Sequence, residues 1–210
     1  MRSRLWTLVG LLAVCGFVWL FVSAGKLGAQ WRKDAALLDA AKVGSVASAE
    51  KLLADGANIE ARNREAPGTD RQWADEFTPL ALAIARGDRA MVKMLLDHGA
   101  DINAKTKPQD GFPGRDIVLW TAVAQGHTEI VRLLVDNGAR VDVTGSSGMT
   151  PLMLAARDNN VEIVRLLIQR GANVNARDER GFTPLSFATG KRRTDHSAVI
   201  RLLRKAGARP

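Results

Sequence analysis

Two hydrophobic patterns divide the chain. From Leu5 to Val22 the sequence reads LWTLVGLLAVCGFVWLFV, without a charge. A helix of that length spans roughly 27 Å, close to the hydrocarbon thickness of a bilayer. The run is apolar all round rather than along one stripe, which predicts a membrane-embedded helix and not part of a soluble core. Beyond Ala35 the pattern changes. Apolar residues recur three and four apart, as in Ile130, Val131, Leu133 and Leu134, and again in Ile163, Val164, Leu166 and Leu167. That spacing predicts short amphipathic helices.

These helices repeat. Thr-Pro-Leu occurs at 78–80, 150–152 and 183–185, and Gly-Ala at 56–57, 99–100, 138–139, 171–172 and 207–208. Five units follow, at 35–57, 78–100, 117–139, 150–172 and 183–208, the last carrying three extra residues. Within a unit, Thr suits an N-cap and Pro the first helical position, where its missing N–H costs nothing. The first helix should end at a residue that tolerates positive φ: Gly44, Gly87, Gly126 or Asn159. A second helix then runs to the Gly-Ala pair. Segments such as Asn173-Val-Asn175 read as the start of an extended hairpin between units.

The residues Gly126-His-Thr-Glu-Ile-Val-Arg-Leu-Leu-Val135 and Gly171-Ala-Asn-Val-Asn-Ala176 resemble the ankyrin repeat family. The resemblance covers residues 35–208. Where the family has His after Thr-Pro-Leu, this chain has Ala81, Met153 and Ser186, with Trp120 at the matching place in the third unit. The first unit lacks Thr-Pro-Leu, as a capping unit would. The resemblance implies an all-α solenoid of helix pairs with β-hairpin fingers, a protein partner bound on the concave face, and no cofactor. Stacking is needed because one unit cannot bury its own apolar face.

The N-terminal run has two readings. Residues 1–24 are either a retained signal anchor or a signal peptide cleaved after Val22-Ser23-Ala24, with 25–34 as a linker. The length favours the anchor. Lipidation at Cys15 is disfavoured by Val14 before it and by the apolar residues after Gly16. Arg2 and Arg4 before the run nearly balance Lys26, Arg32 and Lys33 after it, so loop charge hardly sets the orientation. The expected arrangement is a single-pass inner-membrane protein with its repeats in the periplasm. A soluble periplasmic domain is the alternative. With Cys15 the sole cysteine, the repeats tolerate an oxidising compartment.

The repeat breaks register twice. Thr78 follows Gly56 by 22 residues and Ile117 follows Gly99 by 18, against 12 elsewhere. The added residues lengthen the first two fingers, each polar and turn-rich and each holding one large aromatic, Trp73 or Phe112. The candidate partner-binding residues are therefore Trp73, Phe112 and Trp120, with Arg62, Arg64, Arg71, Lys105, Lys107 and Arg115 around them. For each finger aromatic, folding back to cover the stack competes with anchoring a partner. For Trp120, core packing competes equally.

Composition narrows the function classes. The 210 residues are 46% hydrophobic and 25% charged, with one Cys and three His. That is a globular composition without a disulfide scaffold or a cysteine zinc site. No nucleophile elbow, zinc-helix motif or phosphate loop is present, so no catalytic or metal-binding residue is assigned. His98 and His127 occupy repeat positions, and His196 beside Asp195 is expected at the surface. The net charge is +8, of which residues 177–210 supply +6, including Lys191, Arg192 and Arg193. A solvated end unit is the plain reading of that charge, and an anionic lipid or nucleic-acid surface the alternative. Nucleic acid is the weaker of these, because no stacking aromatics interleave the charges. The domain is expected to be a monomer.

Overall fold

The computed structural model describes residues 28–62, 77–104, 118–190 and 195–209. They form five helix pairs: α1 (28–43) with α2 (Val46–Ala54), α3 (Pro79–Arg86) with α4 (Arg89–Asp97), α5 (Val118–Ala124) with α6 (Thr128–Asp136), α7 (Pro151–Arg157) with α8 (Val161–Gln169), and α9 (Pro184–Thr189) with α10 (Ser197–Lys205). The first helices of successive pairs stack as one layer, α3 on α5, α5 on α7 and α7 on α9. The second helices stack as another, from α2 through α4, α6 and α8 to α10. Between the layers lies one continuous core, with Leu37, Ile84, Leu95, Leu134, Leu152, Leu167 and Leu203 wholly buried.

Local chemistry explains each pair. Thr78, Thr150 and Thr183 are buried N-caps whose hydroxyls accept from the backbone N–H three residues on. Such a bond satisfies a donor that the helix itself leaves unpaired. The first helix then ends where φ turns positive, at +83° for Gly44, +78° for Gly87, +70° for Gly126 and +57° for Asn159. At Gly87 a side chain is excluded twice over. Besides its backbone conformation, a Cβ there would lie 2.8 Å from Cε1 of His127 in the next unit.

No strand is present among the described residues; the fingers there are tight turns rather than β-hairpins. A side-chain ladder explains why. The backbone N–H groups of Asp101, Arg140, Asn173 and Arg209 each donate to a side-chain oxygen of the preceding unit: Glu60 at 2.7 Å, Asn103 at 3.0 Å, Asp142 at 2.9 Å and Asn175 at 2.9 Å. With those donors met by side chains, no backbone ladder is needed there.

Residues 28–34 fall in the stretch expected as a linker. They form the first turns of α1. Gln30 Nε2 and Lys33 Nζ donate to the carbonyls of Gly56 and Asp55, and Asp34 accepts from the N–H of Asn58 at 2.8 Å. The start of α1 thus adds a bottom rung to the ladder and closes the stack. The apolar run at 5–22 lies outside the described residues; among the described ones, no helix is long and apolar enough to cross a membrane.

Candidate functional site

Three of the first helices, α3, α7 and α9, start at a capping threonine. The residue before that threonine is Phe77, Met149 or Phe182, one per unit, on the side of the stack formed by the fingers and the first helices. This is the position from which an apolar side chain can pack on the helix four residues past the cap, fixing the angle at which the chain enters. In the last unit the contact is explicit. The rings of Phe182 and Phe187 meet edge to face, with centroids 6.0 Å apart and planes at 63°.

The last finger is braced from below. Asp178 is buried, and its carboxylate accepts from the N–H of Phe182 at 2.7 Å and of Arg180 at 3.0 Å. The Asp178 N–H donates to the Phe182 carbonyl, and Arg177 Nη1 donates to the Gly181 carbonyl. A backbone bond from Glu179 N–H to the Ser147 carbonyl ties this finger to the one before it. The preceding finger has Gly145 where the last has Asp178, and the space is taken by Trp120. A Cβ on Gly145 would come within 2.2 Å of the Trp120 indole nitrogen.

Trp120 is the one candidate aromatic within the described residues. It is half-buried, packs against the core, and its Nε1 is enclosed without a hydrogen-bond partner. Arg62, also half-buried, sits at the foot of the first long finger. Trp73, Phe112, Arg64, Arg71, Lys105, Lys107 and Arg115 lie outside the described residues, as do Lys191, Arg192 and Arg193.

The histidines are built into the frame. His98 Nδ1 donates to the Met94 carbonyl at 2.9 Å, and the His127 ring covers Gly87. His196, expected at the surface, is only 5% exposed, with Nε2 donating to the Arg157 carbonyl at 3.2 Å. The preceding unit covers it: Asn159 Nδ2 also reaches across, to the Asp195 carbonyl at 3.0 Å. Asp195 itself is solvent-exposed, and its carboxyl is held below the usual range first by the N–H of Ser197 and then by the Ser197 hydroxyl. Arg157 is raised above the ordinary guanidinium value, chiefly by its hydrogen bonds to Asp158, with burial opposing.

Stacked helix pairs, each closed against its neighbour by the same side-chain rungs, define a repeat solenoid. Residues 113–210 match the family model for ankyrin repeats in three copies, and residues 75–107 match that for a single ankyrin repeat. The chain belongs to the ankyrin repeat family. Proteins built from this repeat act as protein–protein interaction scaffolds. The α1–α2 pair, outside both matched stretches, extends the stack by one unit without Thr-Pro-Leu.

Proposed function

We propose that this protein is a non-catalytic interaction module that binds one protein partner through its concave face and its two long fingers, while residues 5–22 hold it at the inner membrane with the repeats in the periplasm. The observation that carries the first half is the repeat stack itself. It repeats one helix-pair unit along the chain, and the sequence lengthens the fingers only between the first three units. A stack of helix pairs does not require extra finger residues, and loop length costs little closure entropy. They enlarge the surface around Trp73, Phe112 and Trp120, flanked by Arg62, Arg64, Arg71, Lys105, Lys107 and Arg115. Large aromatics and arginines are the residue types that most often carry binding energy at protein interfaces.

The membrane half rests on the uncharged run Leu5–Val22, whose end is separated by only a few residues from the start of the described helix at residue 28. The alternative is a periplasmic protein released by cleavage near Ala24. Sequencing of the mature N-terminus separates the two. A start at Met1 or Arg2 supports the anchor, and a start at Gly25 overturns it. An alkaline-phosphatase fusion after Pro210 reports the side of the membrane: activity supports a periplasmic domain, and inactivity places the repeats in the cytoplasm.

The interaction claim is tested by affinity capture with residues 25–210 as bait. A bait that begins later would lose Gln30, Lys33 and Asp34 and open the first rung of the ladder. The expected result is one stoichiometric protein partner that competes with no other surface of the bait. Measured turnover of a small-molecule substrate by the purified chain would contradict the reading.

A further inference from the structure

The layer of second helices carries a column of cations. Lys93, Arg132, Arg165 and Arg201 hold the same place in α4, α6, α8 and α10, each six residues before its Gly-Ala pair. The first two are neutralised. Lys93 Nζ lies 2.6 Å from Asp97 Oδ2, and Arg132 reaches Glu162 of the next unit at 2.9 Å and Glu129 at 3.9 Å. The pattern then stops. The counterpart of Glu162 in the last unit is Ala198, and the residue four beyond the cation is Gln169 in α8 and Lys205 in α10. Arg165, Arg201, Arg204 and Lys205 are all exposed, and none of them makes an ion pair among the described residues. Within its bounds α10 holds +3 and no acid, whereas α2 and α8 are neutral, α4 holds +1 and α6 holds −1.

An end unit needs a polar outer face, and Arg204 and Lys205 in the last turn suit the negative end of their helix. Neither need calls for one sign of charge throughout, and Arg165 and Arg201 stand outside any last turn. We infer that Arg165 on α8, with Arg201, Arg204 and Lys205 on α10, forms a face that docks on the headgroups of an anionic bilayer. Charge complementarity requires an anionic occupant. The exposed residues of α10 are Ser197, Arg201, Arg204 and Lys205, all polar, whereas a protein interface is built around an apolar centre. No aromatic ring stands among these cations for a nucleic-acid strand to stack on. A headgroup layer asks only for opposite charge, and each cation near the surface adds to the attraction. The inference rests on the membrane reading proposed above, which keeps the chain beside a bilayer, and adds that the end of the second-helix layer lies toward the lipid.

The test uses the full-length chain in phosphatidylcholine nanodiscs, which occupy the anchor, with sucrose-loaded vesicles added as a second membrane. Sedimentation compares vesicles of phosphatidylcholine alone with an equal mixture of phosphatidylcholine and phosphatidylglycerol. Binding to the anionic vesicles should be at least tenfold tighter and should weaken as salt rises. Arg201→Glu with Arg204→Glu, both exposed, should lower it at least tenfold with circular dichroism unchanged. Arg201→Gln with Arg204→Gln should weaken it in the same direction and replaces the reversal if that variant misfolds. Lys51→Glu with Arg89→Glu makes the same change in net charge on α2 and α4 and should leave binding intact. The inference is overturned if both lipids bind alike, or if the two charge reversals weaken binding equally. It is equally overturned if a DNA duplex or polyglutamate, at the same concentration of negative charge, captures the chain more tightly than the vesicles. A chain that elutes apart from its disc defeats the anchor reading, while the comparison of lipids and variants still decides this one.

Discussion

At the scale of single residues, the fit between units is set by pairs of one large and one small side chain. Trp120 and Gly145 are such a pair, with the indole filling the space that a Cβ would need. Gly145→Ala should therefore cost about 1–3 kcal/mol, the usual penalty for overfilling a packed site. Thermal unfolding checks this, and Trp120→Leu in the Gly145→Ala background should recover most of the loss. Equal losses in the single and double variants would mean that the two positions are independent. Neither half of this pair was legible in the sequence. Trp120 stood out only as an aromatic in an unusual place, and Gly145 lies far from it along the chain. His196 was misplaced for a similar reason: beside Asp195 in a polar insertion it reads as surface, yet the preceding unit covers it. Asn159 was legible, because Asn is one of the few residues other than Gly that tolerate the left-handed backbone a helix end requires.

Asp195 gives the residue scale its pH dependence. Its carboxyl is depressed by the Ser197 N–H and hydroxyl. A group whose folded value lies below its unfolded one stabilises the fold above the ordinary carboxylate range, and that support disappears as pH falls through the depressed value. Amide protection factors at the start of α10 should thus fall on acidification more than those in α8. In Asp195→Asn the difference between the two helices should no longer change with pH over that range.

Among the elements, the caps were readable and the ladder was not. Thr followed by Pro announced three helix starts, and each threonine hydroxyl makes the capping bond. Thr150→Ala should cost about 1 kcal/mol by removing an acceptor for the Met153 N–H, seen as a lower melting temperature. Among the described residues the fingers are turns without strands, and Glu60, Asn103, Asp142 and Asn175 supply acceptors to the backbone of the next unit. Sequence shows polar residues at these places but not the repeat-to-repeat spacing that turns them into rungs. Asn103→Ala should destabilise by about 0.5–1.5 kcal/mol, the net worth of one such bond. Its particular signature is faster exchange of the Arg140 amide. If exchange there is unchanged, that rung contributes no protection.

For the whole molecule, the repeat period foretold the architecture, because each unit can bury its apolar stripe only against its neighbours. The length of α1 was not foretold. Residues 28–34 show no apolar periodicity, and the helix there is held by polar bonds to Asp55, Gly56 and Asn58. The proposed binding surface was legible only as a break in register. The exposure of Phe182 was not legible, because an apolar residue before a cap looks the same in sequence whether or not the finished unit covers it.

The central claim is that the long fingers bind a protein partner and do not merely cover the stack. It is tested most directly by titrating the captured partner into the wild type and into the variant carrying Trp73→Ala with Phe112→Ala, with a melting curve for each. The account predicts binding weakened at least tenfold, about 1.4 kcal/mol, at an essentially unchanged melting temperature. Undiminished binding together with a clearly lower melting temperature would contradict it and make the two aromatics packing residues.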